Sequence, residues 1–464
     1  MKSVSVFIES FGCQMNKLDT ALVGSALAEA GFHLVDGLKE ADVVLINTCS
    51  VRQHAEDRVL SHLGHLKHLK EHRPDLVVGV IGCMAQRLGD QLLEHAAVNI
   101  VCGPAQIPQI ADLIRQALAR NAKQVAVTER IRRPAQEGDG SLDAFELEHS
   151  GSDGQIPGQA FVRVMRGCNY FCTYCVVPYV RGPEACRPPD AILEQVKRLA
   201  GAGIRQVTLL GQTVNSYKYR NGEKTYCLAD LLDMASQVAG IEWVRFVTSY
   251  PADEFFDQIL QVMANSPKVC RCLHMPAQSG SDRILKAMNR HYTAAHYLEL
   301  IEKTRMVVPE IALAGDFIVG FPGETEDDFQ ATVDLTRKAR YKNCFVFKYS
   351  PRPGTTADKR LADTIPDEVK QRRNVELLAV QERISDELNR AFLGREVTVL
   401  VEGLSKKAHV NPADSDSHPQ LVARTSTDHI VVFHGPVSLT GRFAQVRITR
   451  TAPLTLFGER RERG

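Results

Sequence analysis

Residues Arg166–Arg187 read RGCNYFCTYCVVPYVRGPEACR and place Cys168, Cys172 and Cys175 in a CxxxCxxC spacing. We call this stretch the cluster loop. Three thiolates on one short loop can bind three irons of a cubane iron–sulfur cluster and leave the fourth iron without a protein ligand. Clustered cysteines also bind zinc, so the spacing alone leaves both kinds of site open. The pattern favours a reactive cluster, because a cluster that only carries electrons usually has four protein ligands.

The chain around the cluster loop alternates strand and helix patterns. Six apolar runs are predicted to be strands: 160–165, 206–210, 243–248, 270–275, 311–319 and 343–349. Helical patterns fill the gaps between them. Six such units predict an incomplete parallel (β/α)6 barrel of the TIM type, in which functional groups lie on the loops that follow the strands. The cluster loop follows the first of these strands.

The first 120 residues show the same alternation, with buried strands predicted at 4–9, 43–47 and 76–82. Short, continuously apolar strands separated by helices predict a doubly wound parallel sheet with helices on both faces. This part of the chain is therefore expected to be a separate α/β domain.

A cysteine stands just after each of these three strands, namely Cys13, Cys49 and Cys83. The carboxyl ends of parallel strands meet at one edge of a sheet, where doubly wound folds bind their ligands. Three buried free cysteines would be the ordinary alternative. Three equivalent placements favour a second three-cysteine site, which we call the auxiliary set. Cys102 follows a further apolar run and is expected to pack in the core.

The remaining segments complete the predicted domain organisation. Residues after 391 form short β segments between polar turns, which predicts a small antiparallel β barrel. The predicted boundaries are 1–128 for the first domain, 129–157 for a linker, 158–390 for the large barrel and its following helix, 391–456 for the small barrel, and 457–464 for a solvated tail.

Composition limits the broad class of the protein. The 464 residues are 44% hydrophobic, with a formal net charge of +1, so the total charge neither requires nor excludes a nucleic acid partner. No stretch reaches the length of a membrane span and the start is predicted to be a strand, so we expect a cytoplasmic protein. Twelve cysteines then point to metal or redox chemistry more than to disulfides.

The cluster loop, at the first strand of a six-unit barrel, resembles the radical S-adenosylmethionine superfamily. Further motifs make the whole chain similar to the methylthiotransferases: FGCQMN (11–16), INTCSVRQHAEDRV (46–59), IGCMAQR (81–87), LLGQTVNSY (209–217), LHMPAQSGSDRILKAMNR (273–290), GDFIVGFPGETEDDF (315–329) and YSPRPGT (349–355). The small barrel corresponds to the TRAM domain of that family. FGCQMN and VVPYxRG favour the branch that modifies tRNA over the branch that modifies an aspartate of a ribosomal protein.

The resemblance implies a reaction and its cofactors. A methylthio group would be added to C2 of the N(6)-isopentenyladenosine next to the anticodon of tRNA, with S-adenosylmethionine as methyl donor and as radical source. Two 4Fe-4S clusters would be bound, the radical cluster by Cys168, Cys172 and Cys175, and an auxiliary cluster by Cys13, Cys49 and Cys83. An electron donor such as a flavodoxin or ferredoxin and a monomeric state are expected. The alternatives are the ribosomal-protein reaction and a non-catalytic iron–sulfur protein that binds RNA or senses redox state.

Six further residues are candidates for contacts with S-adenosylmethionine, although polar loop residues and glycine turns are also common without such a role. They are Gln212, Asn215, Gln278, Ser279, Gly320 and Gly323. No residue beyond the clusters is assigned a catalytic role. Arg181 and Arg187 are expected to meet substrate or a carboxylate, or to pair with Glu184. Cys186 and Tyr250 depart from the family pattern, and neither is given a function.

Overall fold

The computed structural model describes residues 3–50, 53–120, 123–128, 140–149, 156–247, 249–252, 254–406 and 418–461. Within these ranges, no helix combines the length and the apolar character that crossing a membrane requires.

The first domain is a parallel sheet covered by helices on both faces, as predicted. Its elements are β1 (Ser5–Phe11), α1 (Gln14–Glu29), β2 (His33–Leu34), β3 (Val43–Thr48), α2 (Gln53–His72), β4 (Val77–Gly82), α3 (Cys83–Leu88), β5 (Ile100–Cys102), α4 (Ile110–Arg120) and β6 (Gln124–Ala126). The strand order is β2-β1-β3-β4-β5-β6 and neighbouring strands are parallel. The strand order therefore reverses between β1 and β3, the position at which such sheets bind ligands.

Two apolar clusters lie on the two faces of this sheet. One contains Leu18 and Leu22 of α1 with Ile114 of α4, and the other contains Leu63 of α2 with Met84 of α3. Cys102 is fully buried in the first cluster, which confirms its predicted role in packing.

The predicted linker at 129–157 is partly wrong, because it contains a helix, α5 (Gly140–Glu148). Asp143 and Glu146 of this helix form ion pairs with arginines of the large barrel. The sequence of this segment shows no helical spacing of apolar residues, because ion pairs of its carboxylates as well as apolar contacts bind it to the large barrel. The rest of the predicted linker at 129–139 and 150–155 lies outside the described residues.

The large barrel has the six predicted strands in two parallel sheets, β7-β10-β13 and β14-β15-β16, joined by a bridge between Val244 and Val269. Its elements are β7 (Gln159–Arg163), β8 (Met165–Arg166), α6 (Val177–Val180), β9 (Ala185–Cys186), α7 (Pro189–Gly201), β10 (Gln206–Leu210), β11 (Lys218–Asn221), β12 (Lys224–Cys227), α8 (Leu228–Ser236), β13 (Trp243–Phe246), α9 (Phe256–Asn265), β14 (Cys272–His274), α10 (Asp282–Ala287), α11 (Ala294–Val307), β15 (Ala312–Val319), α12 (Glu326–Ala339), β16 (Asn343–Lys348), α13 (Thr356–Arg360) and α14 (Asp367–Arg390). Within the described residues no strand pairing joins β7 to β16, so the barrel is open on that side.

The first domain packs on the first half of the large barrel. Phe161, Leu210 and Val247 of the barrel join the apolar cluster that contains α1. This contact brings the carboxyl edge of the first sheet close to the cluster loop.

The small barrel is closed and consists of β17 (Glu396–Leu404), β18 (Gln420–Thr425), β19 (Ile430–His434), β20 (Phe443–Ala452) and β21 (Thr455–Arg460). Two details of the prediction are wrong. The pair β19–β21 is parallel, so the barrel is not purely antiparallel. The tail predicted to start at 457 begins later, because β21 extends to Arg460 and its Leu456 is fully buried in the barrel core. The last three residues lie outside the described part of the chain.

Asp428 of the small barrel forms ion pairs with residues of the large barrel at the end opposite the cluster loop. Lys342 Nζ lies 2.9 Å from Asp428 Oδ2, and Arg245 Nη1 lies 3.7 Å from Oδ1. Although burial raises it, the charge of Lys342 and then that of Arg424 hold the pKa of Asp428 well below its usual range. The small barrel is therefore fixed to the end of the large barrel opposite the cluster loop.

Candidate functional site

The cluster loop brings three free thiols together at the carboxyl end of β7. Cys168 and Cys172 are 7% and 8% exposed, and Cys175 is partly buried. Each sulfur has a hydrogen-bond donor nearby, and for Cys168 Sγ the donor is Thr213 Oγ1 at 3.7 Å. Val177 N donates to Cys175 Sγ (3.5 Å), and Arg290 Nη1 donates to Cys172 Sγ (3.5 Å).

Burial raises the pKa of Cys168 to about 11 and that of Cys175 to about 12. Without a cation these groups remain thiols at neutral pH. A metal cluster supplies the positive charge that removes the protons. The donor set and its surroundings therefore fit an iron–sulfur cluster. No three His, Cys, Asp or Glu side chains in the described ranges are grouped to hold a single metal ion. A cubane cluster does not need that arrangement, because each thiolate binds a different iron.

Tyr250, which sequence analysis left without a function, supports the cluster loop. Its ring stacks on Tyr170 of the loop with a centroid separation of 3.8 Å and an interplanar angle of 11°. The Arg290 guanidinium lies 4.2 Å from the centroid of the Tyr250 ring, and the Tyr250 hydroxyl accepts a hydrogen bond from His291 N. No local pattern marks this role, because the partners are distant in sequence.

The auxiliary set gathers where the strand order of the first sheet reverses. Cys13 is the residue before α1, Cys49 follows β3, and Cys83 is the first residue of α3. Cys49 and Cys83 are buried, and Cys13 is exposed at the edge. The pKa of Cys13 is lowered to about 6: the hydrogen bond with Cys49 has the largest effect, burial opposes it, and the charge of Arg181 contributes to the lowering. Burial raises the pKa of Cys83, although Arg181 opposes the effect.

Two buried asparagines hold the loops of the auxiliary set. Asn16 Nδ2 donates to Asn47 Oδ1 (2.9 Å), and Asn47 Nδ2 donates to Asn16 O (2.8 Å). A Cβ on Gly82 would lie 2.5 Å from Asn47 Oδ1, and Gly82 has a φ of +93°, so this position requires glycine. The three cysteine-bearing motifs therefore fix one another, and their thiols fit a second cluster with three protein ligands.

In the part of the chain that the structure describes, Arg181 and Arg187 form no ion pair with Glu184, contrary to one of the sequence alternatives. Arg181 pairs with Asp19, and Arg187 pairs with Asp143 and Glu146. Glu184 instead accepts hydrogen bonds from Thr213 and Ser216. Arg181 and Arg187 therefore pair with carboxylates of other elements, which agrees with the predicted contact with a carboxylate.

Four of the predicted cofactor contacts have polar side chains, and these differ in their hydrogen bonding. The Oε1 atoms of Gln212 and Gln278 are buried and have no hydrogen-bond partner among the described residues, so both can accept from a ligand. Asn215 already uses both ends of its amide on the backbone of Tyr250, at 2.7 Å each. Ser279 Oγ accepts from Ser281 N (3.2 Å). Contact of these residues with a cofactor stays a prediction.

Gly320 and Gly323 form a turn between β15 and α12, each with a positive φ. Gly320 N donates to Glu324 Oε2 (2.7 Å), and the same oxygen pairs with Arg373 of α14. Burial raises the pKa of Glu324 to about 6. The alternative reading, a tight strand-to-helix turn, accounts for these contacts, and cofactor binding by either glycine stays a prediction.

The inner face of the second barrel half carries polar and aromatic side chains. His274 Nε2 lies 3.2 Å from Asp316 Oδ1, so this carboxylate in a largely apolar strand has a polar partner. Phe345 is in register with Asp316 on the neighbouring strand and is 50% exposed. Phe347 stacks beside Phe345 with an interplanar angle of 14°. The open side of the barrel therefore presents an aromatic surface near the pair of His274 and Asp316.

Three family matches cover most of the chain in the order of its domains. Residues 5–103 match the uncharacterized protein family UPF0004, residues 162–336 match the radical SAM superfamily, and residues 390–460 match the TRAM domain. The chain is 42% identical to the tRNA-2-methylthio-N(6)-dimethylallyladenosine synthase of Rhodopirellula baltica, over 98% of this chain and 95% of that protein. The chain belongs to the tRNA-2-methylthio-N(6)-dimethylallyladenosine synthase family. A second member, from Acetivibrio thermocellus, is 42% identical over 97% of this chain and 90% of that protein.

Solved structures support the fold of this family member. The radical S-adenosylmethionine methyltransferase TsrM of Kitasatospora setae, solved with cobalamin and a [4Fe-4S] cluster bound, superposes with a TM-score of 0.51 at 15% identity, covering 77% of this chain and 74% of that chain.

Membership of the synthase family also decides between zinc and iron–sulfur at the cluster loop. The cofactors are 4Fe-4S clusters and S-adenosylmethionine.

Proposed function

We propose that this enzyme adds a methylthio group to C2 of N(6)-isopentenyladenosine next to the anticodon of tRNA. The observation that carries the proposal is the 42% identity over 98% of the chain to a relative named for this product. It is supported by the two three-cysteine sets, whose members form no disulfides within the described residues.

Each cysteine set has its own role in the proposal. Cys168, Cys172 and Cys175 hold the radical cluster, and the auxiliary set holds the cluster from which sulfur is delivered. When bound, the radical cluster and S-adenosylmethionine supply the one-electron chemistry that removes the hydrogen from C2. Gln212 and Gln278 orient the cofactor through their unpaired buried carbonyl oxygens.

The open side of the large barrel receives the modified base. Phe345 and Phe347 offer ring faces on which an adenine with an apolar isopentenyl group can pack, and base–aromatic stacking contributes about 1–3 kcal/mol per base. His274 and Asp316 provide polar contacts beside them. The first domain covers the neighbouring barrel half and limits the access of water to the site.

The small barrel holds the tRNA backbone. Its β20 carries Arg447 and Arg450 on the exposed side of the strand, where cations can contact phosphates. Because the substrate is tRNA, we place the enzyme in the cytoplasm. We further propose that it acts as a monomer and takes electrons from a flavodoxin or ferredoxin.

Anaerobic incubation with isopentenylated tRNA, S-adenosylmethionine and dithionite tests the function. Mass spectrometry of the digested nucleosides should show the methylthio product, together with 5′-deoxyadenosine. Cys102→Ala is the matched control, because this buried cysteine belongs to neither set. Unmodified tRNA together with conversion of a ribosomal protein would contradict the proposal, and absence of 5′-deoxyadenosine would exclude radical chemistry.

A further inference from the structure

One buried carboxylate connects the two domains at the point where the two cysteine sets approach each other. Asp19 lies on α1, the helix that starts after Cys13, and it is fully buried. Arg163 Nη2 lies 2.9 Å from its Oδ1, and Arg181 Nη2 lies 2.9 Å from its Oδ2. Both arginines belong to the large barrel, so the carboxylate of the first domain is paired entirely across the interface.

Arg181 also contacts the auxiliary set directly. Its Nε donates a hydrogen bond to Cys83 Sγ at 3.2 Å, although the two residues are 98 positions apart. Cys83 further packs against Val176 and Val180 of the cluster loop. One guanidinium therefore joins the loop of the first cysteine set to a thiol of the second.

This contact depends on the geometry of arginine. The planar guanidinium presents several donors in a fixed fork, so it can hold a carboxylate with Nη2 while Nε donates to sulfur. A lysine ammonium keeps the charge but offers only a point donor at the end of a flexible chain. Asp19 and Cys83 together thus select arginine at position 181.

We propose that Arg181, oriented by Asp19, is a positioning residue that fixes the auxiliary cluster against the cluster loop and tunes the reduction potential of that cluster. The inference rests on the proposed function in one respect, the presence of a cluster on the auxiliary set. A hydrogen bond and a positive charge at a ligand sulfur stabilise the reduced, more electron-rich state, so they raise the potential. A fixed separation between the sets matters because hydrogen is removed at one and sulfur is supplied at the other.

The alternative is that Arg181 is only a structural ion pair. Arg187 provides the matched control for this reading. It is fully buried in the same region and pairs with Glu146 and Asp143, but none of its hydrogen bonds and ion pairs within the described part of the chain involves a thiol. Arg187→Lys therefore perturbs a buried ion pair near the cluster loop and leaves the contact with Cys83 in place.

The test measures the auxiliary cluster alone. Full-length protein with Cys168, Cys172 and Cys175 replaced by alanine is reconstituted anaerobically, and the remaining cluster is titrated by EPR. Arg181→Lys should shift its midpoint to a more negative potential, because the hydrogen bond to Cys83 Sγ is lost while the positive charge is kept. Arg187→Lys should leave it unchanged. Equal midpoints in the Arg181→Lys and parent proteins, or an equal shift in Arg187→Lys, would overturn the proposal.

Product formation by protein that retains all six cluster cysteines gives the second readout. Arg181→Lys should lower methylthio product by roughly tenfold, the range found for groups that orient metal ligands, while 5′-deoxyadenosine formation stays close to the parent. Equal losses of both products would contradict a positioning role. The potential needs no tRNA, so a shift in a protein that modifies no tRNA would reject the proposed function and retain this inference.

Discussion

Alanine at Gly167 should destabilise the cluster loop beyond the cost of its backbone conformation. Gly167 has a φ of +71°, and a Cβ there would lie 2.0 Å from Pro183 O and 2.5 Å from Gly182 O. The left-handed conformation costs an L-residue about 1–2 kcal/mol. Forcing the loop apart adds about 1–3 kcal/mol, as overpacking does elsewhere. The expected loss is a large fraction of an ordinary stability of about 5–15 kcal/mol.

Gly203→Ala separates the two contributions. Gly203 has a φ of +89°, but a Cβ there would meet nothing within 4 Å. Urea unfolding followed by tryptophan fluorescence and circular dichroism should show a smaller midpoint change for Gly203→Ala than for Gly167→Ala. Iron content after reconstitution should fall only in Gly167→Ala, because Cys168 follows the displaced residue. Equal destabilisation of the two variants would refute the steric argument.

Three further predictions concern the cysteines, the base and the small barrel. Alanine at any cysteine of the auxiliary set should abolish methylthio transfer and spare uncoupled 5′-deoxyadenosine formation, whereas alanine at Cys168 should abolish both; equal loss of cleavage would contradict the division of roles. Phe345→Ala should raise KM for isopentenylated tRNA by roughly tenfold through lost stacking, whereas Val375→Ala, at an exposed site on α14, should not. Burial lowers the pKa of His429 from 6.5 to about 3, so between these pH values the unfolded chain binds a proton that the folded chain does not, and the free energy of unfolding should fall as the pH decreases. The urea midpoint should therefore depend less on pH in His429→Gln than in the parent protein. An equal pH dependence of the midpoint in the two proteins would contradict this assignment.

Much of the fold was predictable because its strands are short apolar runs that the sheets bury. Val43–Thr48 and Gln206–Leu210 are buried along their whole length, and their apolar character marks them without any tertiary information. The cysteines were predictable for a related reason. Each member of the auxiliary set follows such a strand, so topology alone brings the three together.

The missed features depend on contacts between distant residues. Asp143 and Glu146 stand in a polar stretch without apolar periodicity, and only their ion pairs with arginines of the large barrel distinguish them from linker residues. The role of Tyr250 depends on its contact with Tyr170, and that of Arg181 depends on its contact with Cys83. The partners in each pair are distant in sequence, so no local pattern predicts the contact. The boundary predicted after residue 456 cuts the strand Thr455–Arg460, because a strand that completes a closed barrel needs only a few apolar residues.

Iron and sulfide analysis with Mössbauer spectra of the anaerobic protein tests the central claim most directly. The account predicts two four-iron clusters per chain, each with three protein ligands. Replacing the three cysteines of either set by alanine should remove one cluster and leave the other, and Cys102→Ala should keep both. A single cluster in the parent protein, or an auxiliary triple variant with undiminished iron, would contradict the account.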